Sequence, residues 1–165
     1  MTRTDDFDAF YRETRQRVAA TLYALIGDLT EAQDVTQEAY ARAWQRWRRV
    51  REYDDPEAWV RTVARRIVFS GWRKSRNRVT AYRRHGPAPP TAAPSEDTVA
   101  LVTALHALPV EQREAVVLHH IVGLPVEEVA RQTGVSTGTI KTRLVRGRKS
   151  LSVLLKIDVT EVRHA

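Results

Sequence analysis

The sequence predicts an all-α protein made of two small helical domains joined by a proline-rich linker, with a helix-turn-helix in the C-terminal domain. Three observations predict this fold. Apolar residues recur at helical spacing through most of the 165 residues. No segment alternates apolar and polar residues long enough to indicate a strand. The segment 85–97, HGPAPPTAAPSED, holds four of the seven prolines and separates residues 1–84 from residues 98–165.

Three helices are predicted in the first half, at about residues 5–26, 31–48 and 56–78 or beyond. Gly27 ends the first helix, because glycine readily adopts the left-handed conformation that follows a helix. Thr30 and Gln33 fit a capping box at the start of the second helix. Asp55 before Pro56 gives the third helix an N-cap and a first-turn proline.

Four shorter helices are predicted in the second half, at about residues 98–107, 109–121, 125–132 and 136–155. Pro109 and Pro125 suit first-turn positions, where a missing amide proton costs no hydrogen bond. Gly123 and Gly134 suit helix ends.

The charge is strongly basic and is divided between the two halves. The chain carries a formal charge of +7 and has a pI of about 10.2. Residues 1–84 carry net +6, residues 85–99 carry −2 and residues 100–165 carry +3. This balance favours an acidic partner such as nucleic acid, although a basic protein without a polyanionic partner remains possible.

The chain has no cysteine, so neither a disulfide framework nor a cysteine-ligated zinc site can form. The N-terminal stretch MTRTDDFDAFYRETRQ is polar and acidic, unlike a signal peptide. No apolar run approaches the ~20 residues of a membrane span. We therefore expect a cytoplasmic protein.

The stretch PVEEVARQTGVSTGTIKTRL, residues 125–144, fits a helix-turn-helix. Ala130 is small where the two helices would cross, and Gly134 supplies the permissive backbone of the turn. Ser136 is a natural N-cap for the second helix, and Ile140 falls on its inward face. The second helix of such a unit lies in the major groove of DNA.

The outer face of that second helix is basic. Its inward stripe is formed by Ile140, Leu144, Gly147 and Leu151. The outward side chains that suit base edges are Lys141, Thr142, Val145 and Arg146. The side chains that suit phosphates are Arg143, Arg148 and Lys149. The alternative is an amphipathic helix whose charged face is merely solvated.

The third helix of the first half combines arginines with aromatic residues. Nine basic residues and no acidic one lie between Arg61 and Arg84. Helical arithmetic places one mixed set opposite the apolar side: Arg61, Arg65, Phe69, Trp72, Arg73 and Arg76. Arginine neutralises phosphate and aromatic rings stack on unpaired bases, so this face suits distorted or single-stranded nucleic acid. The alternative is that Phe69 and Trp72 pack against the first helix or a partner.

The second helix of the first half has a different character. Tyr40 and Trp44 are expected in the core. Its polar edge looks like a protein-docking surface and is formed by Asp34, Gln37, Glu38 and Ala41. A solvated face is the alternative.

Little in the sequence indicates catalysis. His119 and His120 are adjacent, so on a helix they point about 100° apart, a poor start for a metal site. No glycine-rich phosphate loop or nucleophile motif is present. We expect neither an enzyme nor a bound metal or cofactor.

Two basic helical modules on a linker, the second with a helix-turn-helix, resemble a bacterial sigma factor of the extracytoplasmic-function (ECF) group. The stretches that carry the resemblance are DLTEAQDVTQEAYARAWQRW, DPEAWVRTVARRIVFSGWRK and ALPVEQREAVVLHHIVGLPVEEVARQTGVSTGTIKTRLVRGRKSL. The arginine-rich composition is similar to that of short actinobacterial members.

The resemblance implies promoter recognition by a protein that joins core RNA polymerase. It implies that residues 1–84 form the region-2 domain, which binds the β′ clamp through the helix carrying Glu38. The loop Trp47–Asp55 and the helix from Pro56 would recognise and open the −10 element. Residues 98–165 would form the region-4 domain, which docks on the β flap and reads the −35 element.

The resemblance also implies a chain that is monomeric when free and a candidate anti-sigma partner. One departure concerns the third helix, where the family usually has an asparagine and, four residues later, an aspartate. This chain has Arg66 and Ser70 at those positions. Two other functions remain open: a stand-alone helix-turn-helix repressor or activator, and a basic interaction protein with solvated faces.

Overall fold

The computed structural model describes the backbone of residues 2–75 and 92–163 and the side chains of residues 2–71 and 92–155. All regular structure in these residues is helical, which confirms the predicted fold class. The chain divides into two compact units, 1–92 and 93–165. Most of the predicted linker lies outside the described residues, and the predicted boundaries of the two domains stay predictions.

Unit 1 contains helices α1 (Arg3–Ile26), α2 (Leu29–Gln45), α3 (Trp47–Val50) and α4 (Pro56–Ser75). Helices α1, α2 and α4 pack against one another around one apolar core. Its most buried side chains include Val18, Leu22, Ala32, Ala39, Val60, Ala64 and Val68. Asp55 caps α4 as expected, since its Oδ1 accepts a hydrogen bond from the Ala58 amide at 2.9 Å.

The start of α2 differs from the prediction. Gly27 ends α1 in the left-handed conformation, with φ of 81°. Asp28 follows it directly and caps α2, because its Oδ1 accepts a hydrogen bond from the Glu31 amide at 2.9 Å. Thr30, the predicted cap, therefore lies inside the first turn. The Asp28 carboxylate is a stronger hydrogen-bond acceptor than the Thr30 hydroxyl. The helix therefore begins two residues earlier than predicted.

The tryptophans at the end of α2 also differ from the prediction. Trp44, expected in the core, has 37% of its surface exposed. Trp47 has 3% exposed and packs on Phe7 and Phe10, with ring centroids 5.2 and 4.9 Å away. The reason is that α2 ends at Gln45. Arg46 leaves helical geometry (φ −112°, ψ 15°), which turns Trp47 towards the core.

Tyr40 is buried, as expected, and belongs to a polar pair inside unit 1. The Thr14 hydroxyl donates to the Phe10 carbonyl at 2.7 Å and lies 2.6 Å from the Tyr40 hydroxyl. Since threonine has one hydroxyl proton, Tyr40 is the donor to Thr14. Burial raises the pKa of Tyr40 to about 12.

Unit 2 contains α5 (Glu96–His106), α6 (Val110–Val116), a π-helical segment (Val117–Ile121), α7 (Val126–Thr133) and α8 (Thr137–Arg163). Helix α5 begins earlier than predicted, because the Ser95 hydroxyl caps the Thr98 amide at 3.2 Å. Helix α8 ends eight residues later than predicted, at Arg163. Helices α5, α6 and α7 all pack against α8.

Arg113 on α6 closes the C-terminal end of α5. Its guanidinium donates to the carbonyls of Leu105 at 3.0 Å, His106 at 3.1 Å and Leu108 at 3.0 Å. The last carbonyls of a helix have no partner within that helix. A buried cation therefore satisfies them and offsets the negative end of the helix dipole.

Gly147 marks the closest approach of α8 to α6. A Cβ at this position would lie 2.8 Å from Val116 Cγ2 and 3.6 Å from the Gln112 carbonyl oxygen. Only a glycine lets the two helices meet at this distance. Together with buried Ile140 and Leu144 and half-buried Leu151, it forms the predicted inward stripe of α8.

Candidate nucleic-acid interface

Helices α7 and α8 form the predicted helix-turn-helix. Gly134 ends α7 with φ of 73°, and its amide donates to the Ala130 carbonyl at 2.9 Å. Ser136 caps α8, since its hydroxyl accepts a hydrogen bond from the Thr139 amide at 3.1 Å. Ala130 and Ile140 are buried between the helices. The turn thus fixes the first residues of α8 relative to α7.

The outer face of α8 exposes the side chains that the sequence assigns to DNA. Those assigned to bases are all exposed: Lys141, Thr142, Val145 and Arg146. Those assigned to phosphates are exposed or half-buried: Arg143, Arg148 and Lys149. Val145 has 59% of its surface in solvent. An apolar side chain so exposed among cations suits contact with a thymine methyl group.

A shallow cavity of about 450 Å³ lies at the N-terminal end of this face. It is lined by Ser136, Gly138, Thr139, Thr142, Arg143 and Arg146. The Thr142 hydroxyl donates to the Gly138 carbonyl at 3.1 Å. Its proton is therefore engaged, and towards DNA it is set to accept a hydrogen bond from a base amino group. Sequence reasoning did not assign Gly138 or Thr139 to this surface.

Helix α4 presents only part of its predicted face. Arg61, which we expected on the outer face, has 5% of its surface exposed. Arg65 and Phe69 are half-buried, and the Arg65 guanidinium lies 5.7 Å from the Phe69 ring centroid. The side chains of Trp72 and Arg73, and all of Arg76, lie outside the described residues.

An arginine-rich pocket of about 530 Å³ opens beside α4 in unit 1. It is lined by Arg3, Gln45, Arg46, Arg48, Arg49, Val50, Tyr53 and Trp59. Cations next to aromatic rings, with no carboxylate among the lining residues, suit a phosphate and a stacked base. The sequence indicated the segment Trp47–Asp55 only through resemblance. In the structure, the first four residues of this segment form helix α3, and the Trp47 side chain is buried.

Two contacts fix the wall of this pocket. Arg3 donates to the Trp44 carbonyl at 2.9 Å, and its guanidinium lies 4.8 Å from the Trp44 ring centroid. Arg51 forms an ion pair with Asp6 at 3.2 Å. These contacts tie the last turn of α2 and the α2–α4 connection to the first turn of α1. Arg3 was not among the predicted site residues. Its contact with Trp44 joins residues 41 positions apart, and no local sequence pattern indicates such a contact.

The polar edge of α2 forms an acidic surface away from the core. Asp34, Glu38 and Ala41 are exposed and Gln37 is half-buried. Glu38 forms an ion pair with Arg42 one turn later. Burial, with the nearby charges of Asp28 and Asp34, raises the pKa of Glu31 on the same helix. This clustering of carboxylates contrasts with the basic pocket of the same unit.

Neither histidine of the pair in unit 2 lies in a metal-binding group. Among the described residues no three histidine or acidic side chains come together as metal ligands. His119 Nδ1 lies 2.7 Å from the Leu124 carbonyl and so closes the turn after the π-helical segment. Over the described ranges, none of the helices has the length and apolar character needed to span a membrane.

Comparison with known proteins matches both units. The family model described as Sigma-70 region 2 matches residues 10–78, and that described as Sigma-70, region 4 matches residues 98–151. The ECF sigma factor EcfG of Rhodopseudomonas palustris is 32% identical over 142 residues, which cover 84% of this chain and 78% of that protein. The ECF sigma factor SigE of Mycolicibacterium smegmatis is 31% identical over 156 residues. This match covers 88% of the chain but 60% of that longer relative.

A solved structure has the same fold. The sigma factor RpoE of Bartonella quintana, determined in complex with the anti-sigma factor NepR, superposes with a TM-score of 0.74 and 27% identity. The superposition covers 93% of this chain and 98% of that one.

A helix-turn-helix with an exposed basic face, and a second unit with an arginine-lined aromatic pocket, define a helical DNA-binding protein of the transcription machinery. The matches with known proteins identify the family within this class. The chain belongs to the sigma-70 family of RNA polymerase sigma factors, in the extracytoplasmic-function group with actinobacterial relatives.

Proposed function

We propose that this chain binds core RNA polymerase and directs it to promoters by recognising −35 and −10 elements. The observation that carries the proposal is the helix-turn-helix, in which α8 buries Ile140 and Leu144 and turns its basic side to solvent. Within this function, residues 1–84 act as the region-2 domain and residues 98–165 as the region-4 domain. The family models at residues 10–78 and 98–151 support that division.

Helix α8 reads the −35 element in this proposal. Arg146 and Lys141 bond guanine edges, Val145 contacts a thymine methyl, and Thr142 accepts from a base amino group. Arg143, Arg148 and Lys149 hold the phosphates and set the register of the helix on the duplex.

The −10 element is recognised and opened at α3 and α4. The pocket lined by Arg46, Arg49, Tyr53 and Trp59 offers rings for an unpaired base and cations for its phosphate. Arg65 and Phe69 continue this surface along α4, and Trp72, Arg73 and Arg76 follow in sequence. Holding unpaired bases offsets the free energy of melting the duplex. Arg61, which was predicted to contact the −10 element, is not part of this surface, because its side chain is buried.

The acidic edge of α2 docks on the polymerase clamp through Asp34, Gln37, Glu38 and Ala41. Once both units are carried by the polymerase, their effective concentration at the promoter rises, so neither needs to bind DNA tightly alone. The chain itself catalyses no reaction in this proposal and needs no cofactor, because the polymerase performs the chemistry. It acts where the polymerase acts, in the cytoplasm.

An anti-sigma factor is a further partner in this proposal. The Bartonella quintana relative, whose fold this chain shares, was solved with such a protein bound. A partner that covers the polymerase or promoter surfaces would keep this chain inactive until it is released.

The test is reconstitution with core polymerase from the source organism or a close relative. The full chain should co-elute with core polymerase in gel filtration and give run-off transcripts at start sites mapped after overexpression in cells. Core polymerase alone is the control. If no complex forms and the free chain instead binds a palindromic site tightly as a dimer, the protein is a stand-alone regulator and the proposal fails.

A further inference from the structure

Arg66 stands apart from the other arginines whose side chains are described on α4. Arg61 is buried, and Arg65 lies against the Phe69 ring. Arg66 is exposed, and so is Ser70 one turn later. The apolar stripe of the helix, which includes Val60, lies about 120° around the helix axis from Arg66. Arg66 thus points away from the core with its guanidinium open to solvent.

Arg66 is also aligned with the arginine-rich pocket. Trp59 lines that pocket, and Arg66 follows it by seven residues. Seven residues are almost two helical turns, so the two side chains share one stripe about 10 Å apart along the axis. This separation corresponds to about three nucleotides at the 3.4 Å spacing of stacked bases along one strand. A strand that has one base in the pocket and continues along α4 therefore passes over Arg66.

We propose that Arg66 is a specificity-determining residue that selects guanine in the −10 region, two to four nucleotides from the base held in the pocket. A guanidinium donates two parallel hydrogen bonds to O6 and N7 of guanine, an edge that stays available in duplex and in unpaired DNA. Adenine offers only one acceptor on that edge, and its amino group repels the second donor. The proposal rests on the promoter-binding function proposed above.

The experiment is transcription from a promoter library. The full chain, reconstituted with core polymerase, transcribes templates in which the −10 region is randomised, and sequencing of the transcripts gives the preference at each position. The variants are Arg66→Ala, Arg66→Lys and Arg66→Gln. Arg12→Ala is the matched control, since Arg12 is an exposed arginine on α1 outside every proposed contact. Circular dichroism checks that all four variants are folded.

Wild type and Arg12→Ala should favour guanine at one position by about tenfold. Arg66→Ala should abolish that preference and keep those at the other positions. Arg66→Lys should weaken the preference without removing it, because lysine still donates to guanine but lacks the planar fork of arginine. Arg66→Gln should shift it towards adenine, because an amide pairs with N6 and N7.

Two results overturn the inference while the sigma-factor function stands. One is a guanine preference that survives Arg66→Ala. The other is an equal loss of transcription on all sequences, which marks a phosphate contact. If the wild-type chain directs no promoter-specific transcript at all, the proposed function fails and the inference fails with it.

Discussion

Replacing Gly147 by alanine tests how α8 is held on α6. The new Cβ would lie 2.8 Å from Val116 Cγ2, well inside van der Waals contact. Val116 is buried, and a valine in a helix has one strongly preferred rotamer, so its methyl group cannot rotate away. The helices must separate, or α8 must shift along α6.

The expected change in the free energy of unfolding follows from two opposing contributions. Forcing an extra methyl group into a packed core costs about 1–3 kcal/mol. Alanine in place of glycine within a helix regains about 1 kcal/mol. We therefore expect Gly147→Ala to destabilise unit 2 by about 1 kcal/mol. Gly138→Ala on the same helix is the matched control, because its Cβ would meet only Ser136 Oγ, at 3.9 Å. It should stabilise unit 2 by up to about 1 kcal/mol.

The assay uses the distribution of aromatic residues. The three phenylalanines, five tyrosines and four tryptophans all lie between residues 7 and 82, so tryptophan fluorescence reports on unit 1. Urea unfolding followed by far-ultraviolet circular dichroism reports on both units. Gly147→Ala should lower only the dichroism midpoint of unit 2 and leave the fluorescence midpoint unchanged.

A double mutant identifies the cause. Val116→Ala removes the clashing methyl group, so it should relieve Gly147→Ala and give a coupling free energy of about 1 kcal/mol. If Gly147→Ala is as stable as Gly138→Ala, or if the two changes at 116 and 147 are additive, close approach of the helices does not explain the glycine.

Three further predictions concern binding and pH. Arg146→Ala should cost about 1–3 kcal/mol at a cognate −35 site, measured by promoter titration with holoenzyme, and leave polymerase binding intact. An equal loss on all sequences would reassign Arg146 to phosphate. Glu38→Lys should weaken the complex with core polymerase in a pull-down titration, whereas Arg42→Gln, which breaks the same ion pair, should not. An unaffected Glu38→Lys complex would remove α2 from the docking surface. Because burial raises the pKa of Tyr40 from 10.0 to about 12, its contribution to stability is complete below pH 10 and is lost as the pH rises to 12. Tyr40→Phe should abolish that part of the alkaline loss in urea unfolding, and an unchanged pH profile would contradict the assignment.

Local sequence patterns predicted the helix-turn-helix of unit 2 and its caps well, and the ends of several other helices less precisely. Ser136 and Gly134 act through neighbours three or four residues away, so their roles follow from a short stretch of chain. The break at Arg46 depends instead on how Trp47 packs against α1. A continuous helix would place Trp44 and Trp47 on one stripe, and only tertiary packing decides which ring is buried.

The candidate site could be predicted where one helix forms it, and not where several segments meet. The exposed face of α8 follows from the spacing of Ile140 and Leu144 alone. The pocket of unit 1 needs Arg3 beside Trp59, two residues far apart in sequence. Arg61 shows a second limit of prediction from sequence. Helical spacing gives the direction of its side chain, but it does not show how far the neighbouring helices cover that side chain.

The three carbonyl hydrogen bonds of Arg113 have a mechanical consequence. Helix α5 is the first element of unit 2, so any tension transmitted along the chain from unit 1 reaches unit 2 through it. Its far end is fastened to α6 by the guanidinium, and α6 carries α8 through the close contact at Gly147. A pull on the connecting segment is therefore passed from α5 through α6 to α8, and does not fall on a fraying helix end.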